Sequence, residues 1–270
     1  MPIVTFTTDF GAKDGYAGAM KGVVLSIAPQ TQLVDITHGI PPHDVVAGAV
    51  ALAQAAPLFP PGTIHVAVVD PGVGGARAEL VVAAAGQLFV GPDNGLLSLA
   101  AKGARRIHAI AAPTFRREPV SPTFHGRDVF APTAARLAAG AGLEDAGPLL
   151  DAMIDLRAPV VHRHGGVVEG EVIHIDGFGN LITSIPADAV PGEPGEEVAI
   201  EIDGTEGRFS PVLGRTFSDT EPGALVAYIG SGGQLEIARR DGSAAERIGV
   251  ARGSAVRMTR RAVTEGTDRG

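Results

Sequence analysis

Residues 63–70 read TIHVAVVD. β-Branched and apolar side chains fill a run too short for a helix. The run stops at an aspartate followed by Pro71 and Gly72, which predicts a buried strand ending in a tight turn. Toward the N-terminus, PIVTFTT (2–8) has the same character and also ends at an aspartate, Asp9, and QLVDI (32–36) is a third short strand. Between them, Tyr16, Met20, Val23, Val24 and Ile27 recur at helical spacing, and residues 43–56 form an Ala/Val-rich segment opened by Asp44. Strand, helix, strand, helix, strand is the order of a parallel sheet covered by helices. Ligands in such sheets bind beyond the carboxyl ends of the strands.

Toward the C-terminus the pattern changes. Shorter strands are expected at 79–84, 87–91 and 106–111, then a Pro-rich loop at 113–123 and a helix from Val129 to Ala139. RAPVVHRHGG (157–166) mixes charge, Pro and Gly without a period and reads as a linker. Beyond it VVEGEVIHID, EEVAIEID, GALVAYIG, QLEIARR and SAVRMTR alternate with turns, as in a small barrel or sandwich. The expected class is therefore α/β: an N-terminal, mostly parallel sheet with flanking helices over 1–157, a linker at 158–166, a smaller all-β barrel-like domain over 167–258, and a frayed tail at 259–270.

Composition narrows the function. The chain has 270 residues, a formal charge of −8, and neither Cys nor Trp. Thiol catalysis, disulfides and cysteine-bound zinc are excluded. An acidic chain offers no footprint for a phosphate backbone, so no nucleic acid is expected as partner. MPIVTFTTDF has no basic or apolar targeting pattern, and no run of 18 apolar residues occurs, so a cytoplasmic protein without membrane partners is expected. Gly and Pro are abundant, 37 and 20 residues, against a roughly 12% ordinary share, and predict many tight turns.

Polar residues gather at those turns. TTDFGAKDGYAG (7–18) carries Asp9, Asp14 and Tyr16 on one loop, where carboxylates suit a cation, ribose hydroxyls or an ammonium group; helix capping is the plainer reading of Asp14. VVDPGVGGAR (68–77) returns Arg77 to the strand end that carries Asp70. FHGRD (124–128) places His125 before a helix, beside Arg127 and Asp128. The two asparagines, Asn94 and Asn180, both lie in glycine turns. There an amide either tolerates left-handed backbone or reads an adenine edge, and Asn94 fits the turn reading better. His162 and His164 share a face if extended, but without a third ligand nearby they read as a solvated linker, and no metal is expected. No P-loop or HExxH motif occurs, and Arg77 stands at the last position of a would-be dinucleotide glycine motif.

The series TTDFG, DGYAG, VDITHGIPP, VAVVDPGVGGAR, GPDNG, TFHGRD, IDGFGNLIT and GSGGQLEIA resembles the S-adenosyl-L-methionine hydroxide adenosyltransferase family over residues 3–258. The resemblance implies attack of water or hydroxide at C5′ of S-adenosyl-L-methionine, giving adenosine and L-methionine without a cofactor, in a homotrimer with sites at subunit interfaces. It places the hydroxide-using triad on Asp70, Arg77 and His125. It further implies that Asp9 holds the ribose, Asp14 and Asp176 the methionine ammonium, and Asn180 the adenine, with Phe178 walling the base and Ser231 meeting the amino-acid end; Tyr16 and Asn94 complete the substrate-binding candidates. In halogenating relatives an arginine follows the serine that matches Ser231, whereas Gly232 follows here. Halide-dependent adenosyl transfer and non-catalytic binding of adenosine or S-adenosylmethionine are the alternative readings. The proton acceptor is open between Asp70 and neutral His125.

Overall fold

The computed structural model describes residues 1–157, 159–205 and 208–260. In chain order the elements are β1 (Ile3–Thr8), α1 (Tyr16–Ile27), β2 (Gln32–Thr37), α2 (Val45–Ala55), β3 (Ile64–Val68), β4 (Glu79–Ala84), β5 (Gln87–Pro92), β6 (Arg106–Ala109), α3 (Ala131–Ala138), β7 (Leu149–Leu150), β8 (His162–His164), β9 (Val167–Ile175), β10 (Leu181–Pro186), β11 (Val198–Ile202), β12 (Arg208–Phe209), β13 (Val212–Leu213), β14 (Leu225–Ile229), β15 (Gln234–Arg239), α4 (Ala244–Ile248) and β16 (Ala255–Arg260). They divide into two compact units, Met1–Arg157 and Ala158–Gly270. No helix among the described residues is long and apolar enough to cross a membrane.

The first unit is built on one sheet in the order β2-β1-β3-β5-β4-β6-β7. The first four strands are parallel, and β4, β6 and β7 extend them antiparallel. Alternation along the strands assigns the two faces. Val4, Phe6, Val66 and Val68 pack with Met20 and Val24 of α1 and Ala131 and Ala134 of α3. Ala67, Val69, Leu80, Val82 and Phe89 pack on the opposite face with Ala47 and Leu52 of α2. Asp44 caps α2 as its position predicts, its side chain accepting the Ala47 N–H at 2.9 Å. Because β2 and β3 flank β1, the connections from β1 and β2 part to opposite sides, opening a crevice at the carboxyl ends of β1 and β3. Asp9 and Asp70 follow those two ends.

His65 is a buried exception in this core. Its ring stacks on Phe89 at 5.1 Å, and its Nδ1 lies 2.7 Å from Thr5 Oγ1. Burial pushes its pKa down to about 4.

The second unit is a sheet in the order β12-β11-β16-β9-β10-β15-β14-β13, with β8 added to β9. A bridge between Glu197 and Val212, supported by Val198 N–H to Pro211 O at 3.1 Å, brings its β13 end back to β11, giving a barrel-like closure. Val168, Leu181, Ile185, Ile200, Leu235 and Met258 fill its interior.

Two boundaries differ from the sequence reading. Within the expected linker, Gly165 and Gly166 adopt positive φ and turn residues 162–164 back onto β9 as a hairpin strand, whose histidines are exposed. Ala158 lies outside the described residues. Of the expected tail, residues 259–260 pair with β11 as part of β16, and residues 261–270 lie outside the described residues.

Candidate active site

The first unit's site starts from two turns. After β3 the chain makes consecutive tight turns, Val73 N–H to Asp70 O at 3.2 Å and Gly75 N–H to Gly72 O at 3.0 Å, which bring Arg77 back to Asp70. Gly74 is required there: its φ is +75°, and a Cβ would stand 2.3 Å from Pro122 O. This contact packs the Asp70–Arg77 loop against the segment leading to His125.

Arg77 organises the cluster. Its Nε donates to both carboxylate oxygens of Asp70 at 3.0 Å, and its Nη2 donates to Oδ2 as well. Nη1 donates to Glu79 Oε1 at 3.0 Å, and Nη2 lies 2.9 Å from His125 Nδ1. Phe130 closes one face of the guanidinium, with Cζ 5.6 Å from the ring centre. Arg116 adds a second cation, its Nη2 donating to Glu79 Oε2 at 3.1 Å and to the Ile110 carbonyl. Side-chain exposure is only 4% for Asp70 and 9% for Arg77, so these charges depend on one another rather than on water. Although burial alone would lower the Arg77 pKa, Asp70 and Glu79 outweigh it and raise it.

The surroundings of His125 favour its neutral form. Burial pushes its pKa down, the charge of Arg77 pushes it further, and Glu79 and Asp70 only partly oppose them. The His125 Nδ1 stands between Arg77 Nη2 at 2.9 Å and Glu79 Oε1 at 3.1 Å, so it accepts from the guanidinium in the tautomer that carries hydrogen on Nε2 and donates to the carboxylate in the other. The histidine precedes a π-helical turn, Gly126–Phe130. Its loop is anchored by Asp128, which is fully buried and accepts from Arg127 Nε at 2.7 Å, Arg117 Nη1 at 3.0 Å and the Ser121 N–H at 3.0 Å. Burial works to raise the Asp128 pKa, but the Arg127 hydrogen bond and its neighbours bring it down.

Asp9, Tyr16, Asp70 and His125 line one cavity of about 280 Å³ in this unit. Three rings wall it: Phe10 lies 5.8 Å from Tyr16 and 5.9 Å from Phe124, and Tyr16 lies 5.2 Å from Phe124. Asp9 Oδ2 accepts the His43 N–H at 2.9 Å, which fixes the carboxylate at the rim. Carboxylates beside one exposed and two half-buried aromatic rings suit a cationic ligand with apolar parts. Asp14 is exposed and does not line this cavity, nor does it cap α1, whose start has no side-chain cap. Asn94 spends both ends of its amide on its turn, Nδ2 to Val69 O at 2.9 Å and Oδ1 from the Leu96 N–H at 3.1 Å.

The second unit carries the remaining predicted residues. Asp176 accepts the Phe178 and Asn180 N–H groups and Asn180 Nδ2, each at 2.9 Å, which shapes the DGFGN turn. Phe178 is left 81% exposed, while Asn180 is 5% exposed. Both line a second cavity of about 470 Å³ with Phe217, Arg239, Asp241 and Ser243. Ser231 is exposed in the β14–β15 turn and lines neither cavity. Among the described residues, no group of three or more metal-ligating side chains occurs.

Glu79, Arg116, Phe10 and Phe124 join the cluster and the cavity without being among the residues the motifs point to. Glu79 opens an ordinary strand, and only its two-residue spacing from Arg77 hints at a role. Phe10 and Phe124 stand beside motif residues in TTDFG and TFHGRD.

Residues 4–147 match the SAM hydroxide adenosyltransferase N-terminal domain, and residues 170–257 match the C-terminal domain. The chain belongs to the SAM hydroxide adenosyltransferase family. Relatives of this family member named (R)-S-adenosyl-L-methionine hydrolase include one from Salinispora tropica, 41% identical over 96% of this chain and 98% of that protein. Another, from Thermus thermophilus, is 42% identical over 94% and 98%. A fluorinase from Nocardia brasiliensis is more distant, 31% identical over 95% and 96%. The crystal structure of an uncharacterized conserved protein from Thermotoga maritima matches with a TM-score of 0.90 at 34% identity, covering 96% of this chain and all of that one.

Proposed function

We propose that this protein hydrolyses S-adenosyl-L-methionine to adenosine and L-methionine by in-line attack of water at C5′. The observation that carries the reading is that Asp70 and His125, bridged by Arg77, line a cavity also lined by Asp9 and three aromatic rings. The relatives named as hydrolases, at 41–42% identity, support it over the fluorinase reading at 31%.

The chemistry is undemanding at the leaving group, because a sulfonium departs as a neutral thioether and needs no acid. The difficulty lies with the nucleophile. Free hydroxide at pH 7 is disfavoured by about 12 kcal/mol, whereas one cation about 4 Å away returns only about 4 kcal/mol at an effective dielectric near 20. Arg77, already shared between two carboxylates, therefore cannot generate hydroxide alone. The proton must leave water as the C–O bond forms. In this reading His125 presents Nε2–H to the water oxygen and orients it. Asp70, which lines the same cavity, accepts the proton, and Arg77 holds both in place.

The substrate contacts follow the family resemblance. Asp9 takes the ribose hydroxyls, Asp14 and Asp176 the ammonium group, and Ser231 with the neighbouring glycine amides the amino-acid end. Asn180 offers Oδ1 and its second N–H to the adenine edge while Phe178 covers the base. The reaction needs no cofactor. A homotrimer with sites at subunit interfaces and a cytoplasmic location complete the reading, tested by sedimentation and cell fractionation. The activity is tested by incubating the protein with S-adenosylmethionine and separating the products: equal amounts of adenosine and methionine are expected, and unchanged substrate would refute hydrolysis.

A further inference from the structure

Glu79 has no place in the triad, yet it touches every cation around it. Its Oε1 takes Arg77 Nη1 at 3.0 Å and lies 3.1 Å from His125 Nδ1, and its Oε2 takes Arg116 Nη2 at 3.1 Å. Its side chain is 16% exposed, so little solvent screens these contacts. The cluster facing His125 then sums to zero: Asp70 and Glu79 against Arg77 and Arg116, with a neutral imidazole. Farther along that segment Arg127 and Arg117 share the Asp128 carboxylate, at 2.6 and 3.0 Å.

Charge balance matters because two nucleophiles compete for the same displacement. Water brings no charge, forms the C5′–O bond and must lose one proton. A halide brings a negative charge, forms the C5′–halogen bond and releases no proton. In both, the C5′–S bond electrons leave with sulfur. A cluster of net zero charge gives an incoming anion no advantage; a net positive one gives it a large advantage. A unit charge about 7 Å away at an effective dielectric near 20 changes an anion's affinity about 50-fold.

We infer that Glu79 is the specificity-determining residue for the nucleophile: by neutralising Arg116 and the free side of Arg77, it keeps the water subsite closed to halide ions. This inference rests on the hydrolysis proposed above and assigns Glu79 no contact with the reacting atoms.

The test compares sodium chloride with sodium gluconate at equal ionic strength, measuring adenosine and 5′-chloro-5′-deoxyadenosine from S-adenosylmethionine by mass. Wild-type turnover is expected to be the same in both salts and to give no chlorinated product. Glu79→Gln, which leaves a net positive cluster, is expected to be slowed at least about fivefold more by chloride than by gluconate, or to divert product to the chloro compound. Glu79→Gln/Arg116→Gln, neutral again, should return to chloride indifference, an outcome that loss of structure alone would not produce. If Glu79→Gln fails to fold, Glu79→Met, which removes the same charge, takes its place in the comparison and is expected to show the same chloride sensitivity. Chloride-specific inhibition or chlorination by wild type, a chloride-sensitive double variant, or a folded Glu79→Gln indifferent to chloride would each overturn the inference. A wild type that makes no adenosine in either salt would instead overturn hydrolysis itself.

Discussion

Replacing Arg77 by methionine keeps most of the side-chain volume and removes the charge on which the cluster depends. The consequence is calculable. Asp70, 4% exposed, receives three guanidinium contacts from Arg77, and the substitution would leave its buried carboxylate without them. Glu79 would keep Arg116. One opposite charge about 4 Å away contributes about 4 kcal/mol at an effective dielectric near 20, and breaking a buried pair by removing one partner costs about 3–5 kcal/mol. The expected loss for Arg77→Met is therefore about 4 kcal/mol, or roughly 10 °C in melting temperature for a unit of this size. Asp70→Asn combined with Arg77→Met removes both charges and should recover a large part of that loss. The assay is urea denaturation of wild type, both single variants and the double variant at pH 7. Stability losses that add to within about 0.5 kcal/mol would show that the two residues are not energetically coupled and would refute the reasoning.

Three further outcomes follow from the same geometry. Gly74→Ala must displace the Pro122 carbonyl as well as accept positive φ, and should cost about 2 kcal/mol or more, whereas Gly11→Ala, at φ +68° with open space around it, should cost about 1 kcal/mol; equal losses in thermal melts would contradict the packing role of Gly74. His65 holds a proton less readily folded than unfolded, so the unfolded state binds more protons between pH 6.5 and 4 and stability falls as pH drops through that window. The loss from pH 7 to pH 5 should be about 2 kcal/mol larger in wild type than in His65→Gln, and equal pH dependence by denaturant titration would refute it. His125 is lowered by burial and by Arg77, so its neutral form, and with it turnover, should persist as pH falls through 6.5; an acidic limb of kcat at or above 6.5 would contradict that assignment.

Much of the first unit was legible because its strands are short, apolar and end at aspartates. β1, β2 and β3 appear where the runs predict them, and the crevice at their carboxyl ends follows from their order. The antiparallel extension was not legible, since β4 and β6 read as strands without revealing direction and β7 is only two residues long. In the second unit β8, β10, β12 and β13 do not follow from the sequence pattern. Two are two-residue pairings with no period, β8 was hidden in a polar, glycine-rich stretch, and β10 directly follows a turn that drew attention as a motif. The polar residues divide similarly. Asp70, Arg77 and His125 are legible because polar residues in glycine turns mark strand and helix ends, and the fold brings them within hydrogen-bonding distance of one another through Arg77. Glu79 lacked any such marker, because its significance depends on Arg116, 37 residues away. Asn94 and Asp176 show the reverse: their positions were conspicuous, but much of their hydrogen-bonding capacity goes into shaping their own turns.

The central claim is that water, oriented at the Asp70–Arg77–His125 cluster, is the nucleophile at C5′. The most direct measurement is turnover of S-adenosylmethionine in ¹⁸O-labelled water containing chloride, with products identified by mass. The account predicts adenosine carrying one ¹⁸O on its 5′ carbon and no chlorinated nucleoside. Formation of 5′-chloro-5′-deoxyadenosine, or adenosine without the label, would contradict it.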